Sequence, residues 1–112
     1  MINYDGKVFS PISNSENGET SAETTFVYRQ VGNILTSEYA GGKIRTGHLL
    51  GLVDENGNID MRYHQINQQG ELMTGICHSE PEILENGKIR LHERWQWTSG
   101  DCSTGESTLE EK

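Results

Sequence analysis

Six residues of this sequence combine charged or aromatic side chains with positions on the apolar face of predicted β-strands: Arg29, Glu38, Arg45, Tyr63, Glu93 and Trp95. Four of them are charged, and an unpaired charge inside a protein is costly. Either these side chains lie at the mouth of a barrel, solvated or paired for structural reasons, or they line a polar cavity that recognises a small molecule. On the second interpretation the six residues form a candidate ligand-binding site.

Catalytic chemistry has less support in the sequence. Glu38 and Glu93 are the only predicted inward carboxylates that could act together on a glycosidic bond, and the sequence does not set their separation. The chain has no G-x-S-x-G elbow, P-loop, H-E-x-x-H or G-x-G-x-x-G motif, and its Ser, His and Asp residues follow no order that singles out a triad. A binding protein is therefore favoured over an enzyme, and we assign no catalytic residue.

Four histidines lie on the opposite face, one on each of four consecutive predicted strands: His48, His64, His78 and His92. The predicted register places His48 across from His64, a spacing that could bind a transition metal. The same face carries three arginines, which would repel a cation, so a solvated outer surface is the favoured interpretation. The sequence predicts neither a metal site nor a cofactor.

The elements that must position these residues are short β-strands. From Lys43 to Thr98, four alternating runs are joined by the turns DENGN, NQQGE and LENGK, each typical of a type I turn followed by a left-handed glycine. Further strands on both sides bring the total to about eight, and no segment has a helical period. Sequential hairpins and the cost of exposed edges predict an all-β fold, a small antiparallel up-and-down β-barrel. A twisted open sheet that buries one face in a dimer is the alternative.

The turns also predict which side chains face the interior. Three-residue loops pair the residues that flank them: Asp54 with Asn58, Asn67 with Glu71, and Leu84 with Lys88. Odd-numbered residues between positions 43 and 98 then share the inner face: Leu49, Val53, Ile59, Met61, Tyr63, Met73, Cys77, Ile89, Leu91, Trp95 and Trp97. Gly47, Gly51 and Gly75 lie among them and are expected either to relieve crowding or to curve the sheet. Two-residue turns at Gly41-Gly42 and Val31-Gly32 each swap this parity, which predicts a second inward set: Ile34, Thr36, Glu38, Ala40, Val27 and Arg29.

Length and composition limit the possible partners. The chain has 112 residues and a net charge of −8, which predicts one acidic β-barrel domain over residues 1–112. Nucleic acid and anionic membranes require a basic surface, so neither is predicted as a partner. No signal peptide or long apolar run is visible, and a cytoplasmic location is expected by default. The partners that remain are a small-molecule ligand and a second copy of the chain in a homodimer.

The stretch ILTSEYAGGKIRTGHLLGLVDENGNIDMRYHQINQQGELMTGICHSEPEILENGKIRLHERWQWTSGD resembles a group of small uncharacterised bacterial proteins often labelled N-acetylglutamate synthase. The label implies an acetyl-CoA-dependent acetyltransferase with an α/β core and an [RQ]-x-x-G-x-[GA] pyrophosphate loop. The nearest match, residues 29–34, ends in Ile34 where Gly or Ala is expected and falls in a predicted hairpin instead of opening a helix. The meander plan itself is similar to barrels of the avidin and lipocalin type.

Three hypotheses follow for the function. The first is a small-molecule-binding β-barrel with a polar-lined cavity. The second is a structural or interaction protein that forms a homo-oligomer through its sheet. The third, disfavoured because the pyrophosphate loop is incomplete, is the acetyltransferase that the resemblance implies.

Overall fold

The computed structural model describes residues 2–112 and contains eight antiparallel strands. They are β1 (Val8–Asn14), β2 (Thr25–Val31), β3 (Ile34–Gly41), β4 (Ile44–Val53), β5 (Ile59–Asn67), β6 (Leu72–Ile83), β7 (Ile89–Trp97) and β8 (Thr104–Glu111). Each strand pairs with the next, and β8 pairs with β1, so the sheet closes into a barrel. The predicted all-β, up-and-down barrel is confirmed. No helix in the described part of the chain is long and apolar enough to cross a membrane.

Three hairpin turns have the predicted geometry. The backbone N–H of the residue before each loop donates to the carbonyl of the residue after it, for the pairs Asp54 and Asn58, Asn67 and Glu71, and Leu84 and Lys88. The last loop residue is in each case a glycine with positive φ, at 83°, 83° and 84° for Gly57, Gly70 and Gly87. Because only glycine adopts this backbone without strain, these positions determine the register of β4 to β7.

The interior of the barrel matches the prediction from β5 to β7 and over most of β4. The odd-numbered residues named above are buried, except that Tyr63 and Met73 are half-buried against the core. The even-numbered residues between them face outward, and His48 pairs with His64 across β4 and β5 as predicted. Apolar side chains therefore fill most of the centre of the barrel, and the four histidines, His48, His64, His78 and His92, lie on the outer face.

The predicted parity fails at the start of β4, because a β-bulge adds one residue there. Tyr39 on β3 pairs with Gly47 on β4. Gly41 lies two residues after Tyr39, but its partner Ile44 lies three residues before Gly47. The additional residue reverses the alternation of side chains. Ile44 is buried, and Arg45, which was predicted to point inward, is exposed.

The bulge also reverses the predicted inward and outward faces of the two preceding strands, β3 and β2, because their faces were counted from β4. The side chains that face the interior are Leu35, Ser37 and Tyr39 on β3, and Phe26 and Tyr28 on β2. The inward orientation predicted for Ile34, Thr36, Glu38, Ala40, Val27 and Arg29 is wrong. The change of parity predicted across the β2–β3 turn is correct, since Val31 pairs with Ile34. The inward residues of β2 were nevertheless wrong, because they were counted from the wrong face of β3.

Large inward rings lie over glycines on the neighbouring strand. Three such pairs are in direct register: Tyr39 with Gly47, Tyr63 with Gly75, and Trp95 with Gly105. A Cβ atom added at any of these glycines would overlap the partner ring. The glycines therefore make room for the aromatic rings, as predicted for Gly47 and Gly75.

One end of the barrel is sealed by the segment that precedes β1. Tyr4 is fully buried there, and its hydroxyl donates to the carbonyl of Gly57 in the β4–β5 turn. Its ring contacts Phe9 and Tyr28, with centroids 6.2 and 6.0 Å away. This apolar plug leaves the opposite end of the barrel as the end where a cavity can open.

Candidate functional site

A cavity of about 50 Å³ lies inside the barrel, toward the end opposite Tyr4. Its walls are mainly aromatic, formed by Phe26, Tyr28, Tyr39, Tyr63, Trp95 and Trp97. Its polar groups come from Glu93, Gln65, Ser107 and Cys77. An apolar enclosure with a few convergent polar groups is the usual arrangement of a small-molecule site.

Glu93 is the one charged side chain among the buried residues that the structure describes. Its carboxylate accepts hydrogen bonds from the Ser79 hydroxyl at 2.6 Å and from the Ser107 hydroxyl at 3.0 Å. Burial raises the pKa of Glu93 above its usual range, and the hydrogen bonds from the two serines and from Cys77 oppose that shift. No lysine, arginine or histidine is buried with it in residues 2–112, so no cation of the interior compensates this acid.

Tyr28 presents a second unusual group. Its side chain is fully buried and lines the cavity, yet its hydroxyl has no hydrogen-bond partner among the residues described. Burial raises the pKa of Tyr28, and the nearby Glu93 raises it further, so the hydroxyl keeps its proton and can donate. A buried polar atom without a partner costs about 1 to 3 kcal/mol, so this hydroxyl is available to a partner from outside the chain, such as water or a ligand.

Residues 15–24 connect β1 to β2 and lie across the end of the barrel opposite Tyr4. They are here named the strap. The Glu19 carboxylate accepts from Gln65 Nε2 at 2.8 Å and from Asn67 Nδ2 at 2.7 Å. The Tyr39 hydroxyl donates to Gln65 Oε1 at 2.8 Å. Gly18, Glu19 and Thr20 of the strap complete the wall of the cavity.

The structure brings together three of the six residues predicted for the ligand site: Tyr63, Glu93 and Trp95 all line the cavity. The other three point away from it. Arg29 and Glu38 share a depression on the outer surface with His48, and Arg45 is exposed at the bulge. Binding of a ligand by the six residues stays a prediction, and for Arg29, Glu38 and Arg45 their orientation removes the reason for it.

The sequence interpretation missed Tyr28, Tyr39 and Glu19 as cavity residues. A signal for Tyr28 was present, because Phe26 and Tyr28 make the even positions of β2 more apolar than Val27 and Arg29. That signal indicated the correct face more reliably than counting residues across the turn. Glu19 had no signal, since it lies in an irregular polar segment.

The histidine pair on the outer surface offers no complete metal site. The rings of His48 and His64 are 5.6 Å apart between centroids. No group of three histidine, cysteine or acidic side chains within residues 2–112 is placed to hold a metal ion.

A closed antiparallel meander of eight strands defines the class of small up-and-down β-barrels. Within that class, the family model described as "Avidin-like protein" matches residues 2–112, and the chain belongs to this avidin-like family. No curated protein and no solved structure shows a significant match to the chain.

The acetyltransferase implied by the N-acetylglutamate synthase label has no support. Residues 29–34, the nearest match to the pyrophosphate loop, end β2 and turn into the first residue of β3. No helix follows them, so no helix N-terminus is available to a phosphate group.

Proposed function

We propose that this protein binds a small molecule in the cavity at the strap end of its barrel. One observation carries the proposal: the unpartnered Tyr28 hydroxyl and the uncompensated Glu93 carboxylate line the same cavity. The Tyr28 hydroxyl lacks a hydrogen-bond partner and the Glu93 carboxylate lacks a compensating cation, and a ligand can supply both. Membership of the avidin-like family supports a binding role for the barrel.

The chemistry of the lining suggests what the ligand carries. Glu93 accepts hydrogen bonds, so it suits an N–H donor or a small ammonium group, which would also compensate its charge. Tyr28 suits an acceptor on the same ligand. Tyr63 and Trp95 provide apolar walls for a planar or aliphatic body. We therefore propose a compact ligand with adjacent N–H and acceptor groups, bound through Tyr28 and Glu93 and enclosed by Tyr63 and Trp95.

Binding can be tested by thermal unfolding in the presence of metabolite pools grouped by chemistry. Pools of amines, guanidines, ureas and lactams are expected to raise the melting temperature, because a ligand that binds only the folded state stabilises it. Pools of sugars and simple carboxylates, which lack the N–H donor, are expected to leave it unchanged. Failure of every N–H pool to shift the transition would contradict the proposal.

A ligand found in this way allows the two polar groups to be tested separately. Replacing Glu93 by Gln is expected to weaken binding at least tenfold, because the amide cannot compensate a cation or accept two donors equally well. Replacing Tyr28 by Phe removes only the hydroxyl. The matched control is Glu106→Gln, an equal loss of charge at an exposed position of β8. Equal affinities for Glu93→Gln and Glu106→Gln would show that the ligand lies elsewhere.

A second candidate function is self-association through the outer face of the sheet. Four exposed apolar side chains adjoin one another there: Val31, Ile34, Leu50 and Leu52, here named the outer patch. Ile34 pairs with Val31 and with Leu52 in the two adjoining ladders. Leu50 and Leu52 are 53% and 55% exposed, and a contiguous exposed apolar patch marks an interaction surface.

Light scattering during size exclusion tests this second function. If the outer patch forms a homo-oligomer, the wild-type protein elutes with a mass of two or more chains, and Leu52→Glu elutes as a single chain. Leu72→Glu is the control, because Leu72 is 64% exposed near the strap end of the outer face and lies outside the patch. A wild-type protein that is monomeric at every concentration would exclude the self-association.

A further inference from the structure

The two ends of the barrel are closed by different physical means. At the plugged end, Tyr4 is fully buried and packs against Phe9 and Tyr28. At the other end lies the strap, with the sequence SENGETSAET. It contains no large apolar residue, so little hydrophobic burial holds it on the barrel.

Polar contacts hold the strap in place instead. Gln65 and Asn67 on β5 donate to the two oxygens of Glu19, at 2.8 and 2.7 Å. On β7, the Trp97 indole donates to the carbonyl of Asn17 at 3.0 Å, and the Trp95 indole donates at 3.2 Å to Asn14, the residue that precedes the strap. The strap is also bonded to β8 and to the turn before it: Ser15 N donates to the Glu106 carbonyl at 2.9 Å, and Asn17 Nδ2 donates to Ser103 Oγ and to the Thr104 carbonyl at 2.9 and 3.0 Å. All of these contacts are polar, so hydrogen bonds to water can replace them, and opening this end is less costly than displacing an apolar plug.

The small volume of the cavity under the strap favours an opening motion. Small-molecule sites usually enclose roughly 300 Å³ or more, and even a cavity that accepts benzene has about 150 Å³. The cavity under the strap has about 50 Å³, enough for a few water molecules. A larger ligand is expected to displace strap residues, because Gly18, Glu19 and Thr20 form part of the wall.

We propose that the strap is a gate to the barrel interior and that the Glu19 carboxylate, held by Gln65 and Asn67, is its latch. Release of the latch frees the strap from β5. The strap then lifts from β7 and β8 and admits ligand to the end of the cavity where Trp95 and Trp97 lie. The statement that a ligand enters here rests on the proposed function, whereas the opening motion of the strap does not. It can therefore be measured without any ligand.

The chain contains its own reporters of the opening. Cys77 is buried and lines the cavity, so opening of the barrel is expected to speed its reaction with a small thiol reagent such as methyl methanethiosulfonate. Replacing the exposed Cys102 by Ser leaves Cys77 as the single thiol. The two tryptophans of the chain both donate to this end of the β1–β2 connection, so quenching of their fluorescence by acrylamide reports the same event.

In the Cys102→Ser background, Glu19→Gln is expected to speed modification of Cys77 about 10- to 100-fold and to increase acrylamide quenching, because two charge-assisted hydrogen bonds are weakened. Glu16→Gln is the matched control: it removes the same charge from an exposed position on the strap and is expected to change neither rate. Tyr4→Phe weakens the plugged end and is likewise expected to leave the modification rate within about twofold of the parent, since it removes only one hydrogen bond remote from the gate.

Urea separates gating from global unfolding. Opening of the strap exposes little surface, so the modification rate should depend weakly on urea, whereas modification through the unfolded state depends steeply on it. Three results would overturn the gate: an unchanged rate in Glu19→Gln, an acceleration with the urea dependence of global unfolding, or an equal acceleration in Tyr4→Phe. If Glu19→Gln speeds modification as expected but no metabolite pool binds, the proposed ligand is rejected and the proposed gate is retained.

Discussion

The free energy of unfolding is expected to fall steeply once the pH rises above about 10, the ordinary pKa of tyrosine. All four tyrosines of the chain face the interior, and burial is the first cause that raises the pKa of each: Tyr4, Tyr28, Tyr39 and Tyr63. The folded protein therefore keeps four protons that the unfolded chain releases. Each retained proton lowers stability by about 1.4 kcal/mol per pH unit, so the four together approach about 5 kcal/mol per unit.

The sign of this effect follows from linkage. Below pH 10 both states hold the tyrosine protons, and the stability is unaffected; above it, the unfolded state binds fewer protons and is favoured. The near-ultraviolet absorbance of tyrosinate should appear together with the loss of the far-ultraviolet β-sheet signal, in one transition. Appearance of tyrosinate in a protein that remains folded would contradict the burial of these residues.

Tyr28→Phe provides the matched test within the same titration. The Tyr28 hydroxyl has no partner among the described residues, so its removal breaks no internal hydrogen bond. We expect the variant to be at least as stable as wild type at neutral pH, and its alkaline slope to be shallower by about 1.4 kcal/mol per pH unit. A strong loss of stability at neutral pH would show that the hydroxyl does have a structural partner.

The second large effect concerns Glu93. Burial raises the pKa of this carboxyl from its ordinary 4.5, so the folded state holds the proton more tightly than the unfolded state. Its contribution to stability is therefore fully present below pH 4.5 and is lost as the pH rises through the raised pKa of the folded protein. The loss is about 1.4 kcal/mol for each unit by which the pKa is raised.

Glu93→Gln should abolish this part of the pH dependence, because a neutral amide of similar shape does not titrate. We expect the variant to equal or exceed wild type in stability at neutral pH, and the difference between the two to shrink on acidification toward pH 4.5. Urea unfolding at a series of pH values measures it, with Glu106→Gln as the exposed control. If Glu93→Gln is instead less stable than wild type at neutral pH and the gap closes in acid, the ionised carboxylate is compensated in the folded state.

Most of the barrel could be predicted because turn chemistry and alternation agree from β4 to β7. The glycines at positions 57, 70 and 87 require positive φ, and this requirement determines loop length without any knowledge of the tertiary structure. The inward row that contains Glu93 and Trp95 then follows by counting. The strong local signals therefore predicted the half of the cavity wall that β5 to β7 provide.

The other half of the wall could not be predicted by counting, because the bulge at Arg45 leaves no mark in the sequence. Because the count missed this one additional residue, the prediction placed the wrong faces of β2 and β3 inward. It therefore assigned Arg29 to the site in place of Tyr28. The strap and the Tyr4 plug lie outside regular alternation and are positioned by contacts between residues distant in sequence. Glu19 and Gln65 are 46 residues apart, and such contacts have no local pattern.

The pairing of aromatic rings with glycines has a consequence for how relatives of this protein could diversify. At Gly75 and Gly105 the ring of the adjacent strand rests directly on the backbone. A single methyl group added there would tilt Tyr63 or Trp95 and reshape the chamber without altering any residue that touches its contents, at a cost of about 1 to 3 kcal/mol. Under the binding function proposed above, selectivity could thus be retuned from positions that carry no side chain at all.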